Sequence, residues 1–177
     1  MVEVVVADAG PLIALARLDA LPWLPLLFSH AWVTETVLAE CLAGIDAVEC
    51  GRIRAAVDRG QLEVRTPPPS DLGWTVDAGE ASAIAAALEL GAGVLMDDRA
   101  GRRLATRLGL PVIGVLGVLV LAKRAGLVAE IRPLVITLVN SGYFLSSGVI
   151  EQALRLAGES PSNFAGDPMD AREDEGR

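Results

Sequence analysis

Short valine-rich runs alternate along this chain with longer segments whose apolar residues recur at helical spacing. In the first run, residues 2–7, five of six residues are apolar and four are valine. Similar short runs occur at 31–33, 61–65, 93–96 and 110–114. Because β-branched residues favour strands, and strands that alternate with helices pair in parallel, the pattern predicts a parallel sheet covered by helices on both faces.

Capping and breaking residues mark the predicted helix ends. Gly10 and Pro11 are expected to turn the chain after the first strand, and Thr34 is a suitable N-cap for the helix that follows the second. Either Asp77 or Gly79 opens the alanine-rich helix that ends near Gly91. Two further helices are predicted at the C-terminal side, at 130–141 and 147–157.

Composition and charge divide the 177 residues into two parts. One domain is expected over residues 1–158, followed by a disordered acidic tail over residues 159–177 that carries half of the net charge of −8. The acidic balance argues weakly against a nucleic-acid partner. We expect no signal peptide and no membrane span, and two cysteines fit a reduced, cytoplasmic protein.

Five carboxylates are candidates for a common site. Asp8 ends the first strand, and Asp97 and Asp98 end the fourth, so these acids reach the carboxyl edge of the predicted sheet. Glu40 and Glu80 lie early on helices among apolar residues. Acids crowded into one cleft would repel one another and raise their pKa values, a conflict that a divalent cation removes. Oxygen ligands without His or Cys suit Mg²⁺ or Mn²⁺.

Each acid also has an ordinary structural interpretation. Asp8 could cap the helix after the first strand, and Glu80 could interact with a helix dipole. Glu40 could be a solvated helix residue, and one of Asp97 and Asp98 is expected to cap the next helix. The arginines at 99, 102, 103 and 107 could form a solvated helix face. Only the joint pattern favours a site.

Several segments in order resemble the PIN-domain ribonucleases, and in particular a PIN-like prokaryotic branch of toxin nucleases. They are VVVADAGPLIALARL, VTETVLAEC, DAGEASAIAAALELG, VLMDDRAGRRLA and GVLGVLVLAKRAGLV, and together they span roughly residues 2–157. The resemblance implies a three-layer α/β/α sandwich around a parallel sheet. It also implies Mg²⁺- or Mn²⁺-dependent cleavage of single-stranded RNA.

Site residues follow from the resemblance. The family's four acidic positions correspond to Asp8, Glu40, Glu80 and the pair Asp97–Asp98, and the sequence leaves open which member of the pair faces the metal. Arg102 corresponds to an arginine typical of the branch and is expected to hold a phosphate or a carboxylate.

Two departures from the family pattern weaken the expected support for the site. Gly10 stands where many PIN enzymes have a hydroxyl residue, and Asp97 stands where a Thr or Ser is common. Outer groups of this kind orient metal ligands, so their replacement bears on activity.

Partners and rival functions complete the expectations. The resemblance suggests an antitoxin partner beside the RNA substrate, and the apolar C-terminal helices suggest a homodimer. A receiver module would need an acid pair after the first strand, where Asp8 stands alone, and an aspartyl phosphatase would need an acid where Gly10 stands. Serine or cysteine hydrolase mechanisms lack a suitable His, since His30 is the only one. The serious alternative is a non-catalytic PIN-like binding or regulatory module.

Overall fold

Five parallel strands form the central sheet of the computed structural model, which describes residues 3–43, 47–68 and 75–161. The strands are β1 (Val4–Ala7), β2 (His30–Thr34), β3 (Glu63–Arg65), β4 (Gly93–Leu95) and β5 (Val112–Ile113). They are ordered β3-β2-β1-β4-β5, and every neighbouring pair is parallel. The predicted parallel sheet is therefore confirmed, strand by strand.

Helices connect the strands and cover the sheet. Within the described ranges they are α1 (Ala9–Arg17), α2 (Leu24–Leu27), α3 (Glu35–Ala43), α4 (Ala47–Asp58), α5 (Ala78–Leu90), α6 (Arg99–Arg107), α7 (Val115–Arg124), α8 (Arg132–Asn140) and α9 (Ser147–Leu156). A 3₁₀ turn, Leu21–Trp23, precedes α2. This is the α/β/α architecture that the resemblance implied. The part of the predicted tail beyond Pro161 lies outside the described residues, as do residues 69–74 of the proline-rich loop.

The strand order creates a switch point between β1 and β4. The chain runs outward from β1 through β2 to β3, and then returns to the other side of β1 to form β4 and β5. Ala7 pairs in register with Leu95, so Asp8 and Asp97 follow neighbouring strands at the same edge. Ligands of open α/β sheets bind in the crevice at this kind of point.

The core explains why these strands are so rich in valine. Val5, Val6 and Ala7 are fully buried, because helices cover both faces of a parallel sheet. The alanines of α5 let this helix lie close over β1, β2 and β4.

The predicted helix ends hold with one exception. Thr34 accepts a hydrogen bond from the Val37 amide, and Asp77 rather than Gly79 is the N-cap of α5. Gly10 and Pro11 do not turn the chain as predicted but lie in the first turn of α1. Pro is tolerated there because the first amides of a helix have no intrahelical partner.

Contacts at the C-terminal side reach Glu159. Its carboxylate accepts hydrogen bonds from the amides of Ile131 and Arg132 and pairs with Lys123 Nζ at 2.8 Å.

Within the described chain, no single helix is long and apolar enough to span a bilayer, and the one pair that meets those criteria together is bent by 108°.

Candidate functional site

Asp8 is a buried carboxylate at the end of β1. It is the N-cap residue of α1, yet its side chain makes no capping hydrogen bond, so capping does not explain it. It is only 7% exposed, and burial raises its pKa from 3.8 to about 6. Asp77, Glu40 and Asp98 raise the pKa further by repulsion, against the opposing effect of the Ala9 amide.

Glu80 and Asp98 affect each other's pKa values, and the charge of Asp8 acts on Glu80 as well. Glu80, in the first turn of α5, is 6% exposed, and burial together with repulsion from Asp77, Asp98 and Asp8 raises its pKa to about 7. Asp98 accepts hydrogen bonds from the amides of Ala100 and Gly101 at 2.6 and 3.1 Å, which lower its pKa. The interaction between these two carboxyl groups raises the pKa of Glu80 and lowers that of Asp98.

Glu40 reaches the same cluster from α3. Its carboxylate lies against Gly79, where any Cβ would collide with Glu40 Oε2. Burial and repulsion from Asp77 raise the pKa of Glu40, and the Gly79 amide opposes the rise. The absence of a side chain at Gly79 is therefore what allows α3 and α5 to bring two acids together.

Asp77 was not among the predicted site residues. It caps α5 by accepting a hydrogen bond from the Glu80 amide at 2.8 Å, and this role places its charge near three of the predicted acids. Its position before Glu80 was the available signal, but a good N-cap needs no further explanation.

Asp97 has different partners from its neighbour. It accepts hydrogen bonds from the Val115 amide, at the start of α7, and from the Tyr143 hydroxyl at 2.7 Å. Gly114 permits this approach, because a Cβ there would collide with Asp97 Oδ1. Asp98 rather than Asp97 is the member of the pair whose charge raises the pKa values of Asp8 and Glu80, and Asp98 is also the residue that caps α6.

Tyr143 brings a hydroxyl group to the site from the segment between α8 and α9. Its oxygen lies 3.6 Å from the place that a Cβ of residue 10 would occupy. Burial and the charges of Asp97 and Asp8 raise its pKa, so the hydroxyl stays protonated and donates. As the chain's single tyrosine, far from the acids in sequence, it carried no motif that could identify it.

Arg102 is the last of the predicted site residues, and His30 is the histidine that the sequence analysis set aside. Arg102 Nη1 donates a hydrogen bond to the carbonyl of Met96 at 2.7 Å and thereby fixes the backbone that precedes Asp97. His30 pairs with Glu63 at the start of β2, at the edge opposite the acids.

The donor set has the chemistry of a divalent-cation site. Asp8, Glu40, Glu80 and Asp98 present only carboxylate oxygens, the ligands that Mg²⁺ and Mn²⁺ prefer. Across residues 3–43, 47–68 and 75–161, however, no three Asp, Glu, His or Cys side chains converge into a ready-made metal site. The acids are thus close enough to shift one another's pKa values without forming a preassembled coordination shell.

Comparisons with known proteins concern the family and the fold. The family DUF3368, described as a PIN domain, matches residues 4–159. No curated protein gives a significant match. Among solved structures, a PilT N-terminus domain protein from the archaeon Sulfolobus solfataricus P2 superposes with a TM-score of 0.51 at 22% identity, over 65% of this chain and 89% of the other. That likeness concerns the fold. The match over residues 4–159 shows that this chain belongs to the PIN-domain family.

Proposed function

We propose that the chain is a metal-dependent endoribonuclease that cleaves single-stranded RNA. PIN domains are generally nucleases that use divalent metals, which supports this class of reaction. The observation that carries the proposal is the pair of buried carboxylates, Asp8 and Glu80. Neither forms an ion pair with any cationic side chain in the described residues, and both have pKa values raised toward neutrality. A bound cation would supply the missing positive charge.

The ligands proposed for Mg²⁺ or Mn²⁺ are Asp8, Glu40, Glu80 and Asp98. A divalent cation held there would polarise a phosphodiester and lower the pKa of a water bound to it. Glu80 would release its proton when the site is loaded, because ligand carboxylates must be ionised. Asp98 is already ionised, since the amides of α6 lower its pKa.

Asp97, Tyr143 and Arg102 are proposed as positioning residues. Asp97 is held between the start of α7 and the Tyr143 hydroxyl, and Arg102 holds the carbonyl of Met96 just before it. Together they fix the chain at the end of β4, from which Asp98 enters the cluster. Outer contacts of this kind orient metal ligands.

We further propose that the chain is a toxin with an antitoxin protein as its partner, and that it forms a homodimer. This rests on the resemblance to toxin nucleases and, for self-association, on two exposed apolar side chains of α8, Ile136 and Val139. Copurification with the product of an adjacent gene tests the first point. Light scattering at tens of micromolar tests the second, and a monomer would contradict it.

A non-catalytic PIN-like binding module is the alternative. One observation favours it, namely that no three acids converge into a ready-made metal site in the described ranges. The two proposals differ in what Mn²⁺ does, because only the nuclease needs the cation for turnover.

Cleavage of a labelled single-stranded RNA with Mn²⁺ and with EDTA separates the two proposals. We expect Mn²⁺-dependent cleavage by the wild type and a loss of at least about 100-fold in Glu80→Gln. Glu49→Gln is a matched control, because Glu49 is equally buried but pairs with Arg17 far from the cluster. A wild type inactive in both conditions, or an active Glu80→Gln, would favour the binding module.

A further inference from the structure

A row of arginines begins beside the acid cluster and follows α6 away from it. Arg99, Arg103 and Arg107 lie four residues apart, so they occupy successive turns of one helix face, about 6 Å apart along its axis. All three are exposed, and none of their side chains forms an ion pair with, or donates a hydrogen bond to, a described residue. Arg99 directly follows Asp98, so the row starts at the proposed site.

The row lines one wall of a long groove between α6, α7 and α9. The groove has a volume of about 1600 Å³ and also contains Arg102, Arg124 and Asp97. This exceeds the ~300–1,000 Å³ typical of small-molecule sites, so an extended ligand fits it better than a metabolite. Asp97 is the sole carboxylate among the described residues that line it.

Phe144 adds an aromatic surface to the same groove. Its side chain is 88% exposed, the highest exposure among the large apolar residues described. Phe144 directly follows Tyr143, whose hydroxyl donates a hydrogen bond to Asp97. The same short segment therefore contacts the proposed site and carries the exposed ring. Exposed aromatic rings beside cationic side chains are the usual surface on which unpaired bases stack.

We propose that this groove is the path of a single-stranded RNA, with Arg99, Arg103 and Arg107 contacting successive phosphates and Phe144 stacking on a base. The proposal rests on the proposed ribonuclease function and extends it to the substrate's route. The row of arginines also bears on the repulsion between this acidic chain and RNA. A chain of net charge −8 with clustered acids repels a polyanion, and a local row of cations next to those acids offsets that repulsion.

The test compares two double variants that each remove two exposed arginines. Arg103→Ala/Arg107→Ala removes part of the row. The control, Arg54→Ala/Arg59→Ala, removes the same charge from α4 and from the residue that follows it; α4 packs on α1 and α3 and does not line the groove. Binding of a fluorescein-labelled single-stranded oligouridine is measured by anisotropy in EDTA, where cleavage does not occur, at several salt concentrations. Thermal midpoints establish that all variants are folded.

The row variant should bind about tenfold more weakly than the wild type, and the slope of log K against log salt should fall by about 1.4, since each phosphate contact contributes about 0.7 for single strands. The α4 control should change far less. Phe144→Ala should weaken binding about fivefold or more with the salt slope retained, because stacking releases no counterions. In Mn²⁺, the loss in the row variant should fall on KM.

If both double variants lose the same affinity for RNA, net charge alone explains the loss and the proposal is overturned. Unchanged RNA binding by the row variant would also overturn it. Binding of an acidic protein segment that RNA cannot displace would assign the groove to a protein instead. If the wild type binds RNA through the row without cleaving it, the ribonuclease proposal fails while the RNA path stands. If it cleaves RNA and the row variant matches the α4 control, only the path fails.

Discussion

Glu49 and Glu80 are buried to the same extent, and their pKa values move in opposite directions. Each is 6% exposed. Glu49 accepts a hydrogen bond from Arg17 Nε at 2.9 Å, and this contact lowers its pKa. Glu80 faces Asp77, Asp98 and Asp8, and its pKa rises to about 7.

The contrast shows that, away from the junction of β1 and β4, this fold supplies a buried acid with a cationic partner. Glu159 makes the same point, with Lys123 and two backbone amides around its carboxylate. At the junction of β1 and β4, the buried acids Asp8 and Glu80 are instead left without a cationic partner from the described chain. Unpaired buried charge costs stability, so such a cluster points to a ligand of positive charge.

The largest expected effect concerns Asp8. Asp8→Asn should lower Mn²⁺-dependent RNA cleavage by at least about 100-fold, because the variant loses an anionic ligand at the centre of the cluster. It should also lose the stabilisation by Mn²⁺, which for the wild type is about 2.7 kcal/mol at a hundredfold excess over Kd. Asp58→Asn, at the exposed end of α4, is the control for charge alone. Retention of both responses by Asp8→Asn would place the cation elsewhere.

The pH dependence of metal-free stability should distinguish the two kinds of buried acid. Below about pH 4, Asp8 and Glu80 are protonated in both the folded and the unfolded state. From there to about pH 7 the folded state keeps protons on Asp8 and Glu80 that the unfolded state has lost, so the free energy of unfolding should fall as pH rises. The contribution of Asp8 is up to about 3 kcal/mol.

Urea unfolding in EDTA across pH 4–8 measures this slope. Asp8→Asn should flatten it, and saturating Mn²⁺ should reverse it, because metal binding favours the ionised carboxylates. A metal-free stability that rises steadily over the same interval would contradict the raised pKa values.

Substitution of the two equally buried glutamates should change stability with opposite sign. Glu49→Gln should lower the free energy of unfolding by about 1–3 kcal/mol at pH 7, since Arg17 loses its charged partner. Glu80→Gln should leave it unchanged or raise it in EDTA, because a repelled charge is removed. Chemical denaturation of both variants checks the prediction. Equal destabilisation would mean that packing, not charge, governs both sites.

The smallest effect is expected at Tyr143. Tyr143→Phe removes one hydrogen bond to Asp97 and should cost about 1 kcal/mol of stability, with cleavage reduced by about tenfold. Gly10→Ser should partly restore cleavage in that variant, since the 3.6 Å between the Tyr143 oxygen and a Cβ at residue 10 leaves space for a hydroxyl. Restored stability without restored cleavage would limit Tyr143 to a structural role.

The neighbouring acids Asp97 and Asp98 show where sequence reasoning stopped. The run of apolar residues before them predicted a strand over 93–96, and the strand ends at Leu95, one residue earlier. Which acid meets Glu80 depends on the positions of α5, α7 and Tyr143, and none of these is local in sequence. The same holds for Asp77. The sequence predicted its role as a helix cap but not its position near Glu40.

The sequence by itself determined the parallel sheet and most of the acids at its carboxyl edge, because strand and helix periodicity and strand-end position are local properties. Only the tertiary structure decided that Asp98 joins Glu80 while Asp97 binds Tyr143, that Gly79 and Gly114 make room for carboxylates, and that the arginines of α6 line a groove. These outcomes depend on distances between elements that are remote in the chain, and packing of the whole domain sets those distances.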